Sequence, residues 1–293
     1  MNAIHTEKLT KFYGKSRGIV GVDLDVAKGD FFGFIGPNAA GKSTTIRTLL
    51  GLISPSSGRA EVLGLDIASN KTEILSRIGY LPSETEFYGG MKASEIIRLS
   101  ADLRKKSCDA EAKLLCERLS LDTNKKVGEL SYGNRKKLGI VCALQHRPEL
   151  YILDEPTGGL DPLMQREFYE ILKERNEQDG ATVFLSSHIL TEVQKYCRRA
   201  AVIRDGKILA CDTVEKLSHT GAKRVLLRGV NAIPSLSQIK KPVISDDSVE
   251  FLYGGDIREL TKALSELPIT DVSITEPDLE EVFMHYYEKG ENK

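Results

Sequence analysis

The chain has 293 residues, 41% hydrophobic and 28% charged, with Lys+Arg 41 against Asp+Glu 42 for a net charge of −1. That length suits about two domains with a substantial core, and the balanced charge gives no global pull toward nucleic acid or anionic lipid. Five cysteines without a CxxC pair read as reduced thiols in a cytosolic chain rather than a zinc site; the polar start MNAIHTEKLTKFYGKSRG lacks a signal-peptide core, and no stretch approaches the roughly 18–20 apolar residues of a membrane span.

Over the first eighty residues short apolar strands alternate with turns: NAIHTEKLTKFY, GIVGVDLDV, FFGFIG, GRAEVLGLDI and RIGYLP. Only KSTTIRTLLGLI reads as a helix there, with Ile46, Leu49, Leu50 and Ile53 at helical spacing and Pro55 past its end. From about Ser83 the character turns helical, with ASEIIRLSADLRKK and AEAKLLCERLSL amphipathic, giving an insertion over about 83–135. Sheet character returns at ELYILDEPT, GATVFLSSH and RAAVIRDGKIL. Between the first two, Asp161 serves as an N-cap, Pro162 fits the first helical position and Gly180 ends the helix, so strand–helix–strand predicts a parallel βαβ unit. Beyond SHTGAK, the strands KRVLLRGV, SVEFLYGG and ITDVSIT and the helices IRELTKALSEL and DLEEVFMHYYEK predict a small α+β domain. The expected domains are therefore 1–218 and 222–293.

The sharpest chemical signal is FFGFIGPNAAGKSTTIRTLL. Gly36, four residues, then Gly41, Lys42 and Ser43 match a phosphate-binding loop between an apolar strand and a helix. Backbone N–H groups of such a turn and the helix N-terminus face phosphate oxygens, Lys42 adds a cation, and Ser43 offers a hydroxyl to Mg²⁺. Ala39 raises a question: at positive φ an alanine costs about 1–2 kcal/mol. In LYILDEPTGGLDP two carboxylates end a strand, where ligands bind in doubly wound sheets. Asp154 there can hold the hydration shell of Mg²⁺, and Glu155 can orient or deprotonate an attacking water. His188 ends the next strand, VFLSSHIL, which places it beside Glu155. LSYGNRKKLG opens a further helix with a serine and a glycine. It reads either as a second anion site or as a capped helix in which Ser131 satisfies its own backbone.

Together and in this order, GPNAAGKST, LSYGNRKK, YILDEP, GGLDP and SSH closely resemble the Walker A, signature, Walker B, D-loop and switch-histidine motifs of the nucleotide-binding subunit of ABC transporters, over roughly residues 1–218. The resemblance implies an α/β fold: a P-loop NTPase core of RecA type with an antiparallel β subdomain and an α-helical insertion, followed by the small C-terminal α+β domain. It implies an ATPase with ATP and Mg²⁺ as cofactors. Gly36, Pro37, Asn38, Ala39, Ala40, Gly41, Lys42, Ser43 and Thr44 would bind ATP, and Tyr13 would stack on adenine unless it is only a core or surface tyrosine. Ser43 and, through water, Asp154 would hold Mg²⁺, with Glu155 and His188 catalytic. Two subunits pair head to tail in this family. Ser131, Gly133 and Asp161 would thus contact the ATP held by a second copy or a related ATPase subunit.

Several positions depart from the family pattern. Tyr132 stands where glycine is common, with Asn134 and Arg135 following in the signature, and Gly159 stands where serine is usual. Ser83 replaces the Q-loop glutamine that reaches the metal; serine is shorter, so Glu84 or water would have to compensate. The tail SITEPDLEEVFMHYY resembles that of bacterial ABC-2-type exporter ATPases. The expected protein is a cytoplasmic subunit held at the inner face of the cell membrane by a separate permease, a drug, peptide or antibiotic exporter. Residues of about 83–100, with Phe87 and Tyr88, would receive the permease unless both aromatics pack internally. No nucleic-acid partner is expected. The alternatives are a soluble ABC ATPase that remodels ribosomes or DNA, against which the single cassette and the net charge speak, and a binding-only module, against which intact Lys42, Asp154, Glu155 and His188 speak.

Overall fold

The computed structural model describes residues 1–218 and 223–275. The segment DLEEVFMHYYEK, the exporter-like tail beyond Thr275 and part of the SHTGAK linker lie outside the described residues. The chain divides into two compact units, the first Met1–Cys211 and the second starting at Asp212.

In chain order the first unit begins with β1 (Asn2–Tyr13), β2 (Ser16–Ala27), β3 (Phe31–Ile35), α1 (Lys42–Leu49), β4 (Ser57–Val62), β5 (Leu65–Asp66), α2 (Lys71–Arg77) and β6 (Ile78–Leu81). The insertion carries α3 (Ala93–Leu103) and α4 (Asp109–Arg118), and α5 (Tyr132–Leu144) follows. Then come β7 (Leu150–Asp154), α6 (Pro162–Asp179), β8 (Thr182–Ser187), α7 (Leu190–Tyr196), β9 (Arg199–Arg204) and β10 (Lys207–Thr213). Strands β2-β1-β4-β5 form an antiparallel sheet, and β10-β9-β3-β8-β7-β6 form the central one.

In the central sheet β3 pairs in parallel with β8 and β9, and β7 with β6 and β8. Every residue of β3, β7 and β8 is buried. That is the continuous apolar pattern of strands covered on both faces, and each fully buried Phe, Leu or Ile contributes about 1.5–3 kcal/mol. Phe32 stacks on Phe184 at 5.9 Å between centroids, and Ile46, Leu49 and Leu50 bring α1 onto the same core. The parallel arrangement has a functional consequence: β3, β6, β7 and β8 all deliver their C-terminal ends to one edge, at Ile35, Leu81, Asp154 and Ser187.

Helix α6 starts and stops as its sequence requires. Asp161 accepts a hydrogen bond from the Met164 N–H at 3.0 Å, Pro162 opens the helix, and Gly180 closes it at φ 66°. Arg118 of α4 donates to Glu167 at 2.5 Å and to Glu174 at 2.5 and 2.9 Å, so the insertion is fastened to α6 by ion pairs. Buried Arg175 of α6 bonds Glu111 of α4.

The second unit holds α8 (Val214–Ser218), β11 (Lys223–Arg228), β12 (Ile239–Ser245), β13 (Ser248–Tyr253), α9 (Ile257–Ser265) and β14 (Asp271–Thr275). Its antiparallel sheet runs β12-β13-β11-β14. Burial alternates along β13, which puts Val249, Phe251 and Tyr253 into a separate core with Val225, Leu227, Leu260 and Leu264.

Helices α2, α7 and α8 and strand β12 depart from the sequence reading, and two of these departures have simple causes. Helix α2 interrupts the stretch in which only α1 was expected; it is seven residues long and buries only Ile74, too little for a periodic signal. Strand β12 was also not expected: it is almost wholly exposed and contains Pro242, which its edge position tolerates.

Candidate functional site

The loop after β3 makes the floor of the site. A Cβ on Gly36 would lie 2.3 Å from the Ile203 carbonyl oxygen, so only glycine lets the chain leave β3 this close to β9. Ala39 adopts φ 63°, which answers the question its sequence position raised: the alanine sits in the left-handed region. Pro37, Asn38 and Ala39 are exposed, while Ala40 is buried. Lys42 is 6% exposed; its ammonium donates to the carbonyls of Gly36 at 2.6 Å and Pro37 at 3.1 Å and lies 3.1 Å from Glu155 Oε1. Ser43 and Thr44 lie at the N-terminus of α1, whose unpaired N–H groups carry partial positive charge.

The acidic pair comes from the end of β7. Asp154 is 1% exposed, and its Oδ1 accepts a 2.5 Å hydrogen bond from the Ser186 hydroxyl on β8. Glu155 breaks the strand with φ 48°, and its N–H reaches the Ser186 carbonyl at 3.2 Å. A non-glycine residue in that region stores strain of about 1–3 kcal/mol, a pattern that gathers at functional sites. The Glu155 carboxylate lies between Lys42 and His188, whose Nδ1 stands 2.5 Å from Oε2. Against an ionised carboxylate that ring nitrogen is the donor, which leaves the other nitrogen of this half-exposed ring free of the pair. Ser187 donates to buried Glu192 at 3.0 Å, holding the turn before His188.

A cleft of about 380 Å³ is lined by Tyr13, Arg17, Gly18, Pro37, Asn38, Ala39, Gly41, Lys42, Ser43, Thr44, Ser83 and Glu155. It thus gathers most of the loop, the acidic pair's second member, Tyr13 and Ser83. Tyr13 is 47% exposed and therefore no core residue. Arg17 and Gly18 line the cleft without having been expected; nothing in their local sequence marks them. The amphipathic groove around α3 and α4 is a larger cavity but lies away from these groups.

The remaining predicted residues sit elsewhere. Ser131 and Gly133 open α5 and Asp161 opens α6, and none of the three lines the cleft. Ser131 is exposed and its hydroxyl accepts from the Asn134 N–H at 3.3 Å, so the capped-helix reading describes its contact within the chain. Tyr88 is 73% exposed and Phe87 is half-buried, so Tyr88 does not pack internally.

Lys136 is the residue whose importance the sequence hid. In sequence it is one cation of the run NRKK, yet it is 1% exposed. Its ammonium donates to the carbonyls of Pro82 at 3.1 Å and Ser83 at 2.9 Å, tying α5 to the loop after β6. Burial lowers its pKa to about 8, against the opposing attraction of Asp154 and Glu155.

A family profile described as ABC transporter matches residues 19–158. The chain is 42% identical over 214 residues to a bacitracin transport ATP-binding protein of Bacillus licheniformis, covering 70% of this chain and 68% of that one. It is 33% identical over 308 residues to a daunorubicin resistance ATP-binding protein of Streptomyces coeruleorubidus, covering 97% and 95%. A linearmycin resistance ATP-binding protein of Bacillus subtilis is 30% identical over 307 residues, at 96% and 97% coverage. Among solved structures, the ATP binding subunit of an ABC transporter superposes with a TM-score of 0.69 at 30% identity, covering 73% of this chain and 91% of that one.

Proposed function

The chain belongs to the ABC transporter ATP-binding family, as an ATP-binding and hydrolysing subunit of the exporter type, and we propose that it works as one half of a head-to-tail pair driving a separate membrane permease. In this reading the cleft holds ATP: Tyr13 stacks on the base, residues 36–44 wrap the phosphates and Lys42 follows the terminal ones. Ser131, Gly133 and Asp161 meet the nucleotide of the second subunit. The observation that carries the proposal is the split itself. The phosphate cleft draws on Lys42, Ser43 and Glu155, while the exposed serine at the start of α5 takes no part in it.

Mg²⁺ suits the donor set. Ser43 and Asp154 would hold it, both hard oxygen donors, with Asp154 fixed by Ser186. The ion would neutralise charge on the phosphates. Glu155 orients the attacking water and receives its proton. His188 fixes that carboxylate through Nδ1 and faces the γ-phosphate with its exposed edge. Lys42 is shared between Glu155 and the loop carbonyls, so binding of phosphate at Lys42 releases Glu155 toward water.

The exposed Tyr88 and half-buried Phe87 would contribute to the permease contact. No helix among the described residues is long and apolar enough to cross a membrane, which suits a subunit working at the cytoplasmic face through its permease. The relatives named for bacitracin transport and for linearmycin and daunorubicin resistance support an antibiotic-type cargo. The test is Glu155→Gln: with ATP and Mg²⁺ it forms a stable dimer by light scattering, and Lys42→Ala in the same background does not. A Glu155→Gln protein that binds ATP yet stays monomeric refutes the pairing.

A further inference from the structure

Two segments that the chain presents away from its own cleft touch each other. Tyr132 is the first residue of α5, and Gly159 lies in the turn between β7 and α6. Gly159 has φ 81°, and a Cβ built there would stand 2.3 Å from both Cδ1 and Cε1 of the Tyr132 ring. Carbon atoms pack at about 3.5–4.0 Å, so no side chain fits at 159 while the tyrosine keeps its place. The contact is reciprocal: a Cβ on Gly133 would lie 2.6 Å from the Gly159 carbonyl oxygen. The tyrosine hydroxyl ends 3.9 Å from where a Cβ on Gly158 would be. Tyr132 stays 50% exposed, so one part of the ring covers the glycines and the rest faces solvent.

The turn under the ring connects directly to chemistry. Leu160 is buried and its N–H bonds the Thr157 carbonyl at 3.0 Å; Asp161 caps α6; a Cβ on Gly158 would stand 3.7 Å from the Glu155 carbonyl oxygen. Glu155 begins this turn, and Ser131 adjoins Tyr132. Gly158 and Gly159 are exposed, so the coupling runs through the ring's contact with them and the short backbone link from Gly159 to Glu155, not through a close-packed interior.

We propose that Tyr132 is a positioning residue: its ring locks the Gly158–Asp161 turn to the start of α5, so that a displacement at Ser131 is transmitted to Glu155. The proposal rests on the pairing described above for its meaning, since Ser131 matters to hydrolysis only when it meets a second subunit's nucleotide. The contact itself belongs to a single chain and can be measured without pairing.

The experiment is a double-mutant cycle of Tyr132→Gly and Gly159→Ser, with Tyr132→Phe as the conservative variant. Steady-state ATPase, ATP binding by a fluorescent analogue and thermal melting of the nucleotide-free protein are read for each. Gly159→Ser drops kcat by about tenfold or more, with analogue affinity within about threefold of the parent, because the cleft is untouched. Tyr132→Gly with Gly159→Ser recovers most of the melting and kcat that Gly159→Ser loses, falling short of Tyr132→Gly alone only by the strain of a serine at φ 81°, a non-additive result expected of residues in contact. Tyr132→Phe retains parental activity, since ring carbons make the contact. If Gly159→Ser alone fails to fold, rescue of folding by Tyr132→Gly carries the same meaning.

Gly159→Ser with parental kcat and melting, or effects that simply add, overturns the lock. A melting cycle that is non-additive while the kcat cycle is additive refutes transmission to Glu155 and leaves only packing. Failure of the Glu155→Gln protein to dimerise would sink the pairing alone, since the melting cycle needs no second subunit.

Discussion

Replacing Ala39 with glycine should stabilise the protein, against the usual effect of adding a glycine. Ala39 sits at φ 63° on the exposed side of the phosphate loop. An L-residue held there costs about 1–2 kcal/mol. Glycine removes that strain but adds freedom to the unfolded chain, an opposing effect of about 0.4–1 kcal/mol. The strain term wins, leaving a net gain of about 0.5–1 kcal/mol. In a unit of this size each kcal/mol moves the melting point by about 2–4 °C, so the first unit should melt about 1–4 °C higher by calorimetry. Gly180 supplies the mirror test. It has nearly the same φ, 66°, with nothing within 4 Å of a Cβ built on it. Gly180→Ala should therefore lower melting by a similar amount, for conformational reasons alone. Should Ala39→Gly melt at or below the parent while Gly180→Ala falls as expected, some favourable contact of the alanine methyl outweighs backbone strain and the reasoning is wrong.

Acid should destabilise the fold through His146, which is 5% exposed and donates from Nε2 to the Ile78 carbonyl at 3.1 Å. Burial, aided by Arg104, lowers its pKa to about 4 from an ordinary value of 6.5. The unfolded chain therefore binds the extra proton between those values, so stability is full above pH 6.5 and falls as pH drops toward 4. The loss is about 2 kcal/mol by pH 5; His146→Gln should flatten denaturant-measured stability over this window, and an unchanged slope counts against the assignment. Lys136→Met removes a buried cation whose burial costs about 3 kcal/mol by its pKa fall but strips two carbonyls of their donor, at about 1–3 kcal/mol each. The opposing effects leave melting nearly unchanged while ATPase falls by about tenfold; equal ATPase activity would show that the tie to Ser83 has no role. Ser83→Gln should change kcat or its stimulation by the permease, and no change in either means the missing glutamine is irrelevant here.

What was legible in the sequence is what local geometry encodes. Gly36, Gly41, Lys42 and Ser43 keep fixed spacing because one turn must wrap phosphate, and Asp154, Glu155 and His188 announce themselves by ending apolar strands. Asp161 and Gly180 marked the limits of α6 because caps are local. What stayed hidden depends on distant partners. Lys136 is a core residue only because the loop after β6 offers it two carbonyls. Arg17 lines the cleft through the path of β2, and Tyr132 meets Gly159 only after β7 and α5 have been packed. Short α2 and exposed β12 bury too few side chains to leave a periodic trace.

The charged fastening of the insertion gives it a property the apolar sheet lacks. Glu167 and Glu174, which grip Arg118, keep 32% and 40% of their side-chain surface in water. Dissolved ions therefore reach that joint and dampen it, whereas the stacked phenylalanines beneath feel nothing of them. The buried Arg175–Glu111 pair escapes this screening, so the surrounding electrolyte tunes only the outer part of the joint, mounted on a base that it cannot soften.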